Sequence, residues 1–497
     1  MHFDMSQFDS YREDNRREVK KAKGGLPLSL WETYSAFANC YGGVIILGVK
    51  ENHDGSWNMT GLENASKLKK DFWNAINDKK KVSINLLMDK DVKVYEENGK
   101  VILVIYVPRA KREQKPVYIN GNIFDGTFRR NWEGDYHCDR SEVLAMLRDQ
   151  PEETADMKIL EDMPLDVLHE ETIHAYRNRH ITFRREHVWE RLEDNEYLER
   201  IGAAKISAKD GKLHPTAAGL LMFGEEYKIL YEFPEYFLDY REVLDPTIRW
   251  TDRLQSSSGD WTGNLFDFFF RVYGKLVKDL KIPFKLEGIT RIDDTPVHKA
   301  LREALANCLV NTDFYFQRGI VIRKDVNSIT MENPGNIRTG KEQMLKGGIS
   351  DPRNKALMKM FNLIGIGERA GSGVPDIYSV WKQQGWEPPE VIEEYGPDRT
   401  ILKLSFVKSG DKKAAIKSGD KKAAIKSGDK NRAMKKTEKQ MQEILEYMTP
   451  DKEYRTAEIA TNMGIKNSRA RELMKNLVKQ GKIKAIGKNK GRRYIRK

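Results

Sequence analysis

A nine-residue repeat near the carboxyl end divides this chain into two chemically different parts. Residues 408–430 read KSGDKKAAI twice and then KSGDK. The repeat holds few large apolar groups and a Ser-Gly in every copy, so it cannot build a core of its own. It therefore predicts a flexible basic linker over 408–430, which separates a large body from a small carboxyl-terminal module.

The positive charge of the chain is concentrated in the same place. The whole sequence carries a net charge of +12. Residues 408–497 hold 27 lysines and arginines against 10 acidic residues, whereas residues 1–407 carry a small acidic excess. A basic module of this kind is typical of a protein with a polyanionic partner, and DNA is the partner we expect.

Length and composition exclude several classes of protein. A chain of 497 residues is long enough for about three or four domains, each with its own core. Cys40, Cys138 and Cys308 are too few and too scattered for a disulfide framework or a zinc site. No apolar run approaches the roughly 20 residues that cross a bilayer, and the amino-terminal segment is polar. We therefore expect a cytoplasmic protein without a membrane partner.

The carboxyl-terminal module has the pattern of a winged helix-turn-helix over residues 431–497. Apolar spacing predicts three helices at 438–448, 456–461 and 468–480, followed by two short strands at 482–486 and 492–495. In such a module the third helix enters the DNA major groove. The expected contacts to DNA are Arg469, Arg471, Lys475, Lys488, Lys490, Arg492 and Arg493. The alternative is a winged helix that contacts protein.

The amino-terminal segment places acidic groups and a lysine close together. Glu18 and Lys20 lie on one face of a predicted strand, because side chains alternate along a strand. Glu13 can join them only if it ends a turn or helix before that strand. Two carboxylates beside an ammonium could hold a divalent cation and a phosphate together. The alternative is that both glutamates are simply solvated.

Together with Ser35–Asn39, Gly42-Gly43 and Leu47-Gly48-Val49, these residues resemble the AlbA_2 domain of the Schlafen family over about residues 10–150. The resemblance implies an α/β domain that binds nucleic acid. It also implies a metal-dependent, RNA-cleaving site in which Glu13 and Glu18 are metal ligands beside Lys20. The third acid of that site follows the Gly-Val strand, where the nearest candidate is Glu51 and the next is Asp54.

A second candidate site lies in the central part of the chain. The segment Val297–Leu309 is helical in pattern, so Glu303 and Asn307 point from one face and Asn311 follows one turn later. Glycine-rich segments follow at residues 335 and 365–373. An acid, an amide and glycine loops suit a Mg²⁺-nucleotide, because backbone N–H groups can approach phosphates. The alternative is an exposed helix pair with glycines that cap helices and form turns.

This region resembles the GHKL-type ATP-binding domain of RecG-like "divergent AAA" transcriptional regulators, from about Leu168 to Phe406. The sequence segments at residues 215–224 and 294–298 are the ones that resemble this family. It implies that Glu303 is a general base and that Asn307 binds Mg²⁺. The remaining residues expected to contact the cofactor are Asn311, Gly335, Gly365, Gly367, Gly371 and Gly373. The Asp that reads adenine in this family is missing, and Glu332 is the nearest acid.

The sequence as a whole predicts an α+β multidomain protein. The expected segments are an AlbA_2-like domain (1–150), a helical or winged-helix-like domain (151–285), a GHKL-like α/β sandwich (286–407), the linker (408–430) and the winged helix (431–497). The first functional hypothesis is a DNA-binding transcriptional regulator with an ATP site. The second is an endoribonuclease that cleaves tRNA or other RNA with Mg²⁺ or Mn²⁺. The third is an assembly protein, a homo-oligomer, whose GHKL-like domain only dimerises.

Overall fold

The computed structural model divides the chain into two compact units, Met1–Val407 and Lys408–Lys497. In the first unit the structure describes residues 3–245, 247–278, 295–367 and 371–407, and the backbone of 285–287 and 290–292. In the second it describes residues 408, 441, 444–445, 447–449, 452–463, 467–479, 482–486 and 493–496. Apart from Lys408, the predicted linker lies outside the described residues. The architecture is mixed α+β and multidomain, as the sequence predicted.

The amino-terminal region is built on a four-stranded sheet. Its elements are β1 (Arg17–Lys20), α1 (Ser29–Asn39), β2 (Gly43–Leu47), β3 (Val49–Glu51), β4 (Trp57–Met59), α2 (Ala65–Ile76), β5 (Val92–Glu97), β6 (Lys100–Val107), β7 (Phe128–Asn131), β8 (Gly134–His137) and α3 (Arg140–Asp149). The strand order is β1-β2-β6-β5, in which only β1 and β2 run parallel. The pairs β3–β4 and β7–β8 form separate hairpins.

Strand β2 lies at the centre of this region because both of its faces are buried. Ile45 and Leu47 pack in the core beneath α1, and Val44 and Ile46 pack in a second core on the other side. A strand covered on both faces is expected to be a continuous apolar run. Gly42, which precedes β2, has a φ of +69° and approaches the backbone of Val107 and Arg109 so closely that a Cβ would clash.

A helical segment follows the amino-terminal region. It contains α4 (Glu170–Phe183), α5 (Asp194–Ile201), the β9–β10 hairpin (Ala204–Ile206 and Leu213–Pro215), α6 (Ala217–Phe223) and α7 (Glu226–Glu232). Between α4 and α5 the chain forms a short 3-10 turn at Val188–Arg191.

The second large sheet of the first unit has six strands in the order β12-β11-β15-β16-β18-β17. The elements are β11 (Leu238–Val243), β12 (Asp252–Gln255), α8 (Leu265–Val277), β13 (Lys285–Glu287), β14 (Thr290–Ile292), α9 (Pro296–Val310), β15 (Ile320–Asp325), β16 (Ser328–Pro334), α10 (Lys341–Lys346), α11 (Lys355–Leu363), α12 (Gly373–Gln383), β17 (Glu390–Glu394) and β18 (Arg399–Ser405). Strands β11 and β15 pair in parallel and the other neighbours are antiparallel. The domain boundary expected at residue 285 therefore falls inside one sheet.

Helix α9 carries the predicted central site and is anchored in the largest core of the unit. Leu301, Leu305 and Leu309 are fully buried with α8, whose phenylalanines Phe268 and Phe269 belong to the same core. The aromatic run at residues 265–270 therefore contributes to the core. This burial fixes the rotation of α9 and leaves its other face toward a cavity.

Buried arginine–carboxylate pairs join the two sheets. Arg109 forms two hydrogen bonds to Glu393 on β17, the shorter at 2.9 Å. Arg353 forms a bidentate pair with Asp149 at the end of α3, at 2.8 and 3.0 Å. Arg112 donates from Nε to Asp351 at 2.9 Å. The pairs connect the amino-terminal region to β17 and to the segment before α11, and the bidentate pair of Arg353 with Asp149 is directional.

The carboxyl-terminal unit contains α13 (Thr456–Asn462), α14 (Asn467–Lys479) and an antiparallel pair of strands, β19 (Ile483–Ile486) and β20 (Arg493–Arg496). The predicted first helix at 438–448 is described only in part, but Met441, Ile444, Leu445 and Met448 are buried in the core of the unit. Of the helices described in the whole chain, none has both the length and the apolarity needed to cross a membrane.

Candidate functional site

Strand β1 presents Glu18 beside two cations. Glu18 Oε1 accepts from Lys20 Nζ at 2.8 Å, as expected for residues two apart on a strand. Its other oxygen, Oε2, accepts from an Arg130 guanidinium nitrogen at 2.8 Å. Arg130 lies on β7, its side chain is fully buried, and it also pairs with Asp135. Both oxygens of the Glu18 carboxylate therefore face positive charge.

Glu13 folds back onto the same strand. Its Oε1 accepts from the backbone N–H of Val19 at 2.9 Å, so the chain before β1 makes the turn that convergence required. Partial burial, followed by the nearby charge of Glu18, raises the pKa of Glu13 to about 7. The charge of Glu51 acts in the same direction. The three glutamates therefore share one electrostatic environment.

Glu51 shares the electrostatic environment of Glu13 and Glu18, whereas Asp54 does not. Burial and the charges of Glu133 and Glu18 raise the pKa of Glu51, and a backbone N–H bond from Glu13 opposes that rise. Asp54 is exposed in the β3–β4 turn, where its carboxylate accepts a hydrogen bond from the Ser56 hydroxyl. This hydrogen bond lowers the pKa of Asp54. Among the described residues, no group of three acidic, histidine or cysteine side chains is arranged to hold a metal ion.

The central site residues line one cavity of about 150 Å³ beside α9. Glu303, Asn307 and Asn311 form one wall, as their spacing predicted. The Asn307 amide nitrogen donates to Glu303 Oε1 at 3.1 Å. Gly371 and Gly373 lie on another wall, at the start of α12. A Cβ at Gly373 would overlap the Glu303 carboxylate, so glycine permits the close approach of α12 to α9.

The other predicted glycines are distributed differently. A Cβ at Gly367 would lie 3.9 Å from Glu303 Oε2, which places this residue near the same wall. Gly365 packs against the ring of Phe183, and Gly335 packs against the Arg353 guanidinium. Neither Gly335 nor Gly365 is among the residues that line the cavity. Their positive φ angles instead serve the turns that end α11 and follow β16.

Several lining residues escaped the sequence analysis. They come from β16, β18 and the segment after β16, and they include Asn333, Asn336, Arg338, Thr339, Asp351 and Thr400. Met331 and Asn333 face the cavity, so strand alternation turns Glu332 away from it. Glu332 instead forms a 3.0 Å ion pair with Arg399. The alternation of side chains along β16 could have predicted that Asn333 faces the cavity.

The basic residues of the carboxyl-terminal unit are only partly described. Arg471 and Lys475 are exposed one turn apart on α14, opposite the buried Leu473, Met474 and Leu477. Arg493 lies on β20 and pairs with Glu453 at 2.8 Å. Lys488, Lys490, Arg492 and the side chain of Arg469 lie outside the described residues.

Segments of the chain match four family models. Residues 10–138 match the Schlafen AlbA_2 domain. Residues 318–400 match the family described as "Putative ATP-dependent DNA helicase recG C-terminal". Residues 144–239 match a domain of unknown function, DUF8451, and residues 440–494 match the family "FaeA-like protein". The first two matches confirm the AlbA_2 and RecG-like resemblances that the sequence motifs indicated.

Two solved structures are similar to the chain. One is the crystal structure of a protein from Corynebacterium diphtheriae, at 15% identity and a TM-score of 0.40, over 97% of this chain and 94% of that one. The other is the solution structure of the amino-terminal domain of a RecG-related protein from Nitrosomonas europaea. It is 28% identical, with a TM-score of 0.22, over 27% of this chain and 89% of that one. Among curated proteins, none matches the chain.

The raised pKa of Glu13 predicts a pH-dependent stability. Because the pKa is about 7 in the folded protein against 4.5 ordinarily, the protonated carboxyl favours folding. That contribution is fully present below about pH 4.5 and is lost as pH rises through about 7. Glu13→Gln keeps the acceptor oxygen for Val19 but cannot ionise. Urea unfolding at about pH 5 and about pH 8 should therefore show the variant gaining stability over wild type as pH rises.

The exposed Glu63→Gln is the matched control, and its stability relative to wild type should not change between the two pH values. If the difference in the free energy of unfolding between Glu13→Gln and wild type is the same at both pH values, the pKa of Glu13 is not raised by its surroundings in the folded protein.

Proposed function

We propose that this protein associates with nucleic acid and binds a purine nucleotide, ATP, in its central cavity. The observation that carries the proposal is that Glu303, Asn307, Asn311, Gly371 and Gly373 line the same cavity. The matches to the AlbA_2 and RecG carboxyl-terminal families support the same conclusion. The nucleotide would act as the effector of a DNA-binding regulator.

The size of the cavity supports a base-binding role. A buried apolar cavity of about 150 Å³ is large enough to accept a benzene ring. The cavity beside α9 has that volume, and Met331, Met358, Ile377 and Leu402 contribute its apolar surface. We propose that the flat base of the nucleotide contacts this apolar surface. Gly371 and Gly373 also line the cavity, and the first backbone N–H groups of α12 could there meet a phosphate.

The polar wall fits a hydrated Mg²⁺ that accompanies a nucleotide. Since the Asn307 amide nitrogen donates to Glu303, the amide oxygen is the atom that would ligate the cation. Glu303 would orient water, and its contact with Asn307 fixes its position. Glu332 cannot read the base because it faces away and pairs with Arg399. Bound Mg²⁺ would supply charge neutralisation for the phosphates.

Replacing Asn307 tests the nucleotide site. Asn307→Ala removes the amide oxygen expected to hold Mg²⁺, so calorimetry should show Mg²⁺-ATP binding at least about tenfold weaker, a loss of about 1.4 kcal/mol. Asn178→Ala, on the exposed face of α4, is the control and should bind as wild type does. Equal binding by wild type and Asn307→Ala, or no binding by wild type, would contradict the assignment.

The carboxyl-terminal unit is the proposed duplex-DNA contact, with a winged-helix arrangement. Three features support this: two helices followed by a strand pair, two exposed cations on α14, and the concentration of positive charge in residues 408–497. Arg471 and Lys475 project from the side of α14 that its apolar residues leave open. Cations in that position suit contact with phosphates of the backbone, which dominate affinity.

Removing both cations should weaken binding to duplex DNA and flatten its salt dependence. Each lost phosphate contact is expected to reduce the slope of log affinity against log salt by about 1, so Arg471→Ala with Lys475→Ala should reduce it by about 2. Lys382→Ala with Lys403→Ala removes the same charge from exposed positions of the first unit and is the control. Identical slopes for both double variants would refute the contact.

A second candidate function is metal-dependent cleavage of RNA at the acidic cluster. The observation that favours it is the common electrostatic environment of Glu13, Glu18 and Glu51. Carboxylates that repel one another are suited to a hard divalent cation such as Mg²⁺ or Mn²⁺. Lys20 and Arg130 now occupy the oxygens of Glu18, so these two cations would have to shift when a metal binds. They would then be placed to contact a phosphate.

Mutations distinguish the two candidates for the third acid, Glu51 and Asp54. Glu51→Gln should lower the rate of Mn²⁺-dependent cleavage of a tRNA mixture by roughly 100-fold or more, the scale of a lost catalytic carboxylate. Asp54→Asn should leave the rate unchanged, since Asp54 is exposed and held by Ser56. Glu18→Gln should behave as Glu51→Gln does. Failure of the wild-type protein to cleave RNA would remove this function and leave the nucleotide site untouched.

A further inference from the structure

An open cleft of about 640 Å³ lies where the amino-terminal region meets the edge of the six-stranded sheet. Some of its lining residues belong to the segment before β1, the segment before β2 and the β7–β8 hairpin. The others belong to the segment before β15, the end of β17 and the turn between β17 and β18. The residues that the argument uses are Tyr41, Asn131, Trp132, Arg318, Glu394 and Tyr395. All belong to the first compact unit.

Trp132 is placed in this cleft at a conformational cost. It is the first residue of the two-residue turn between β7 and β8, and its φ of +55° lies in the left-handed region. Glycine or asparagine usually occupies such a position, because a Cβ there costs about 1–2 kcal/mol. The Trp132 residue is nevertheless 76% exposed. None of the apolar clusters in the described part of the chain includes it.

An exposed indole outside the apolar clusters adds little to the stability of the core, while its backbone conformation is strained. We therefore expect a binding role. A tryptophan in a core is explained by its packing, whereas Trp132 offers a large flat face to the cleft. Such a face is the usual platform for an unstacked nucleobase, since every base has a flat π-surface. Strain at a bulky exposed residue is the kind of outlier that points to a binding role.

The polar groups beside Trp132 complement a nucleotide. Asn131 precedes it and lines the same cleft, as does the exposed Glu394. An amide and a carboxylate can accept from the exocyclic amino groups of bases, and the amide can also donate. Arg318, exposed on the opposite side, makes no ion pair within the described part of the chain. A guanidinium without a carboxylate partner is available to a phosphate.

The cleft is continuous with the acidic cluster. Arg130 lines the cleft and pairs with Glu18 at 2.8 Å. Glu133 follows Trp132 in the same turn, and its charge is felt by Glu51. Asp14, which also lines the cleft, is the neighbour of Glu13 in sequence. The cleft therefore lies next to the acidic cluster, and the two share Arg130 as a common neighbour.

We infer that this cleft binds single-stranded nucleic acid, with one unpaired base stacked on Trp132 and the adjoining phosphate held by Arg318. Asn131 and Glu394 would contact the edge of that base. The inference rests on the proposed association with nucleic acid and extends it, because it names the form of the strand and the residues that receive it. Duplex DNA cannot use this platform, since its bases are already stacked.

The test measures binding by the full-length protein in the presence of a metal chelator, so that cleavage cannot interfere. Fluorescence anisotropy of a labelled single-stranded RNA and a single-stranded DNA is followed at about 0.3 M salt, which weakens phosphate contacts of the carboxyl-terminal unit, and binding of a duplex DNA is followed at about 0.1 M salt, where those contacts persist. Stacking on an aromatic side chain contributes about 1–3 kcal/mol per base. Trp132→Ala should therefore weaken single-strand binding by roughly 5- to 150-fold and leave duplex binding unchanged.

Two further variants separate stacking from folding. Trp132→Gly relieves the left-handed backbone, so its thermal stability should equal or exceed that of wild type, yet it should lose single-strand affinity as Trp132→Ala does. Trp132→Phe keeps an aromatic face and should recover most of the affinity. Arg318→Ala should weaken binding to both kinds of single strand.

Wild-type affinity of Trp132→Gly for single strands would overturn the inference, as would an equal loss of duplex binding. If the wild-type protein binds duplex DNA but no single strand, the inference fails while the proposed function stands. If it binds no nucleic acid of any form, the proposed function fails as well.

Discussion

The arrangement of the first unit depends on a few buried arginine–carboxylate pairs between its two sheets. Arg109 with Glu393, and Arg353 with Asp149, are both largely shielded from water. A buried ion pair adds little net stability, because the cost of dehydrating both charges offsets their attraction. Removing one partner is costly, at about 3–5 kcal/mol, since it leaves an uncompensated buried charge. The pairs therefore specify one relative placement of the sheets.

This placement brings the candidate sites next to one another. The segment between β16 and α11 lines the cavity beside α9 through Ile337, Arg338 and Asp351. The same segment meets the amino-terminal region, because Ile337 accepts from Arg109 and Asp351 accepts from Arg112. The turn after β17 forms one side of the cleft that contains Trp132. A ligand in the cavity and a strand in the cleft would thus contact the two ends of one interface.

Local patterns predicted the parts of the sites that lie on single elements. The i, i+4 spacing of Glu303 and Asn307 placed both on the cavity wall of α9, and the alternation in β1 placed Glu18 beside Lys20. In both cases the period of the element decides which side chains share a face. Glu51, by contrast, was only the nearest of two candidates that the family resemblance gave, and no local pattern selected it.

Contacts between distant segments could not be predicted in this way. Arg130 lies 112 residues from Glu18, and no periodicity relates them. The placement of Gly335 against Arg353, instead of in the cavity, depends on the fold of the segment between β16 and α11. Trp132 could not be predicted as a site residue, because its role is inferred from its positive φ angle and its exposure, and a sequence shows neither.

Hydrogen exchange in the Arg353→Ala variant tests most directly whether the buried pairs hold the two sheets together. The account predicts faster amide exchange on both sides of the interface, in residues 107–115 and in residues 335–351, because Asp149 becomes an uncompensated charge. Arg200→Ala, which breaks the exposed pair with Glu196, should leave both stretches unchanged. Wild-type exchange rates in residues 107–115 of the Arg353→Ala variant would contradict the account.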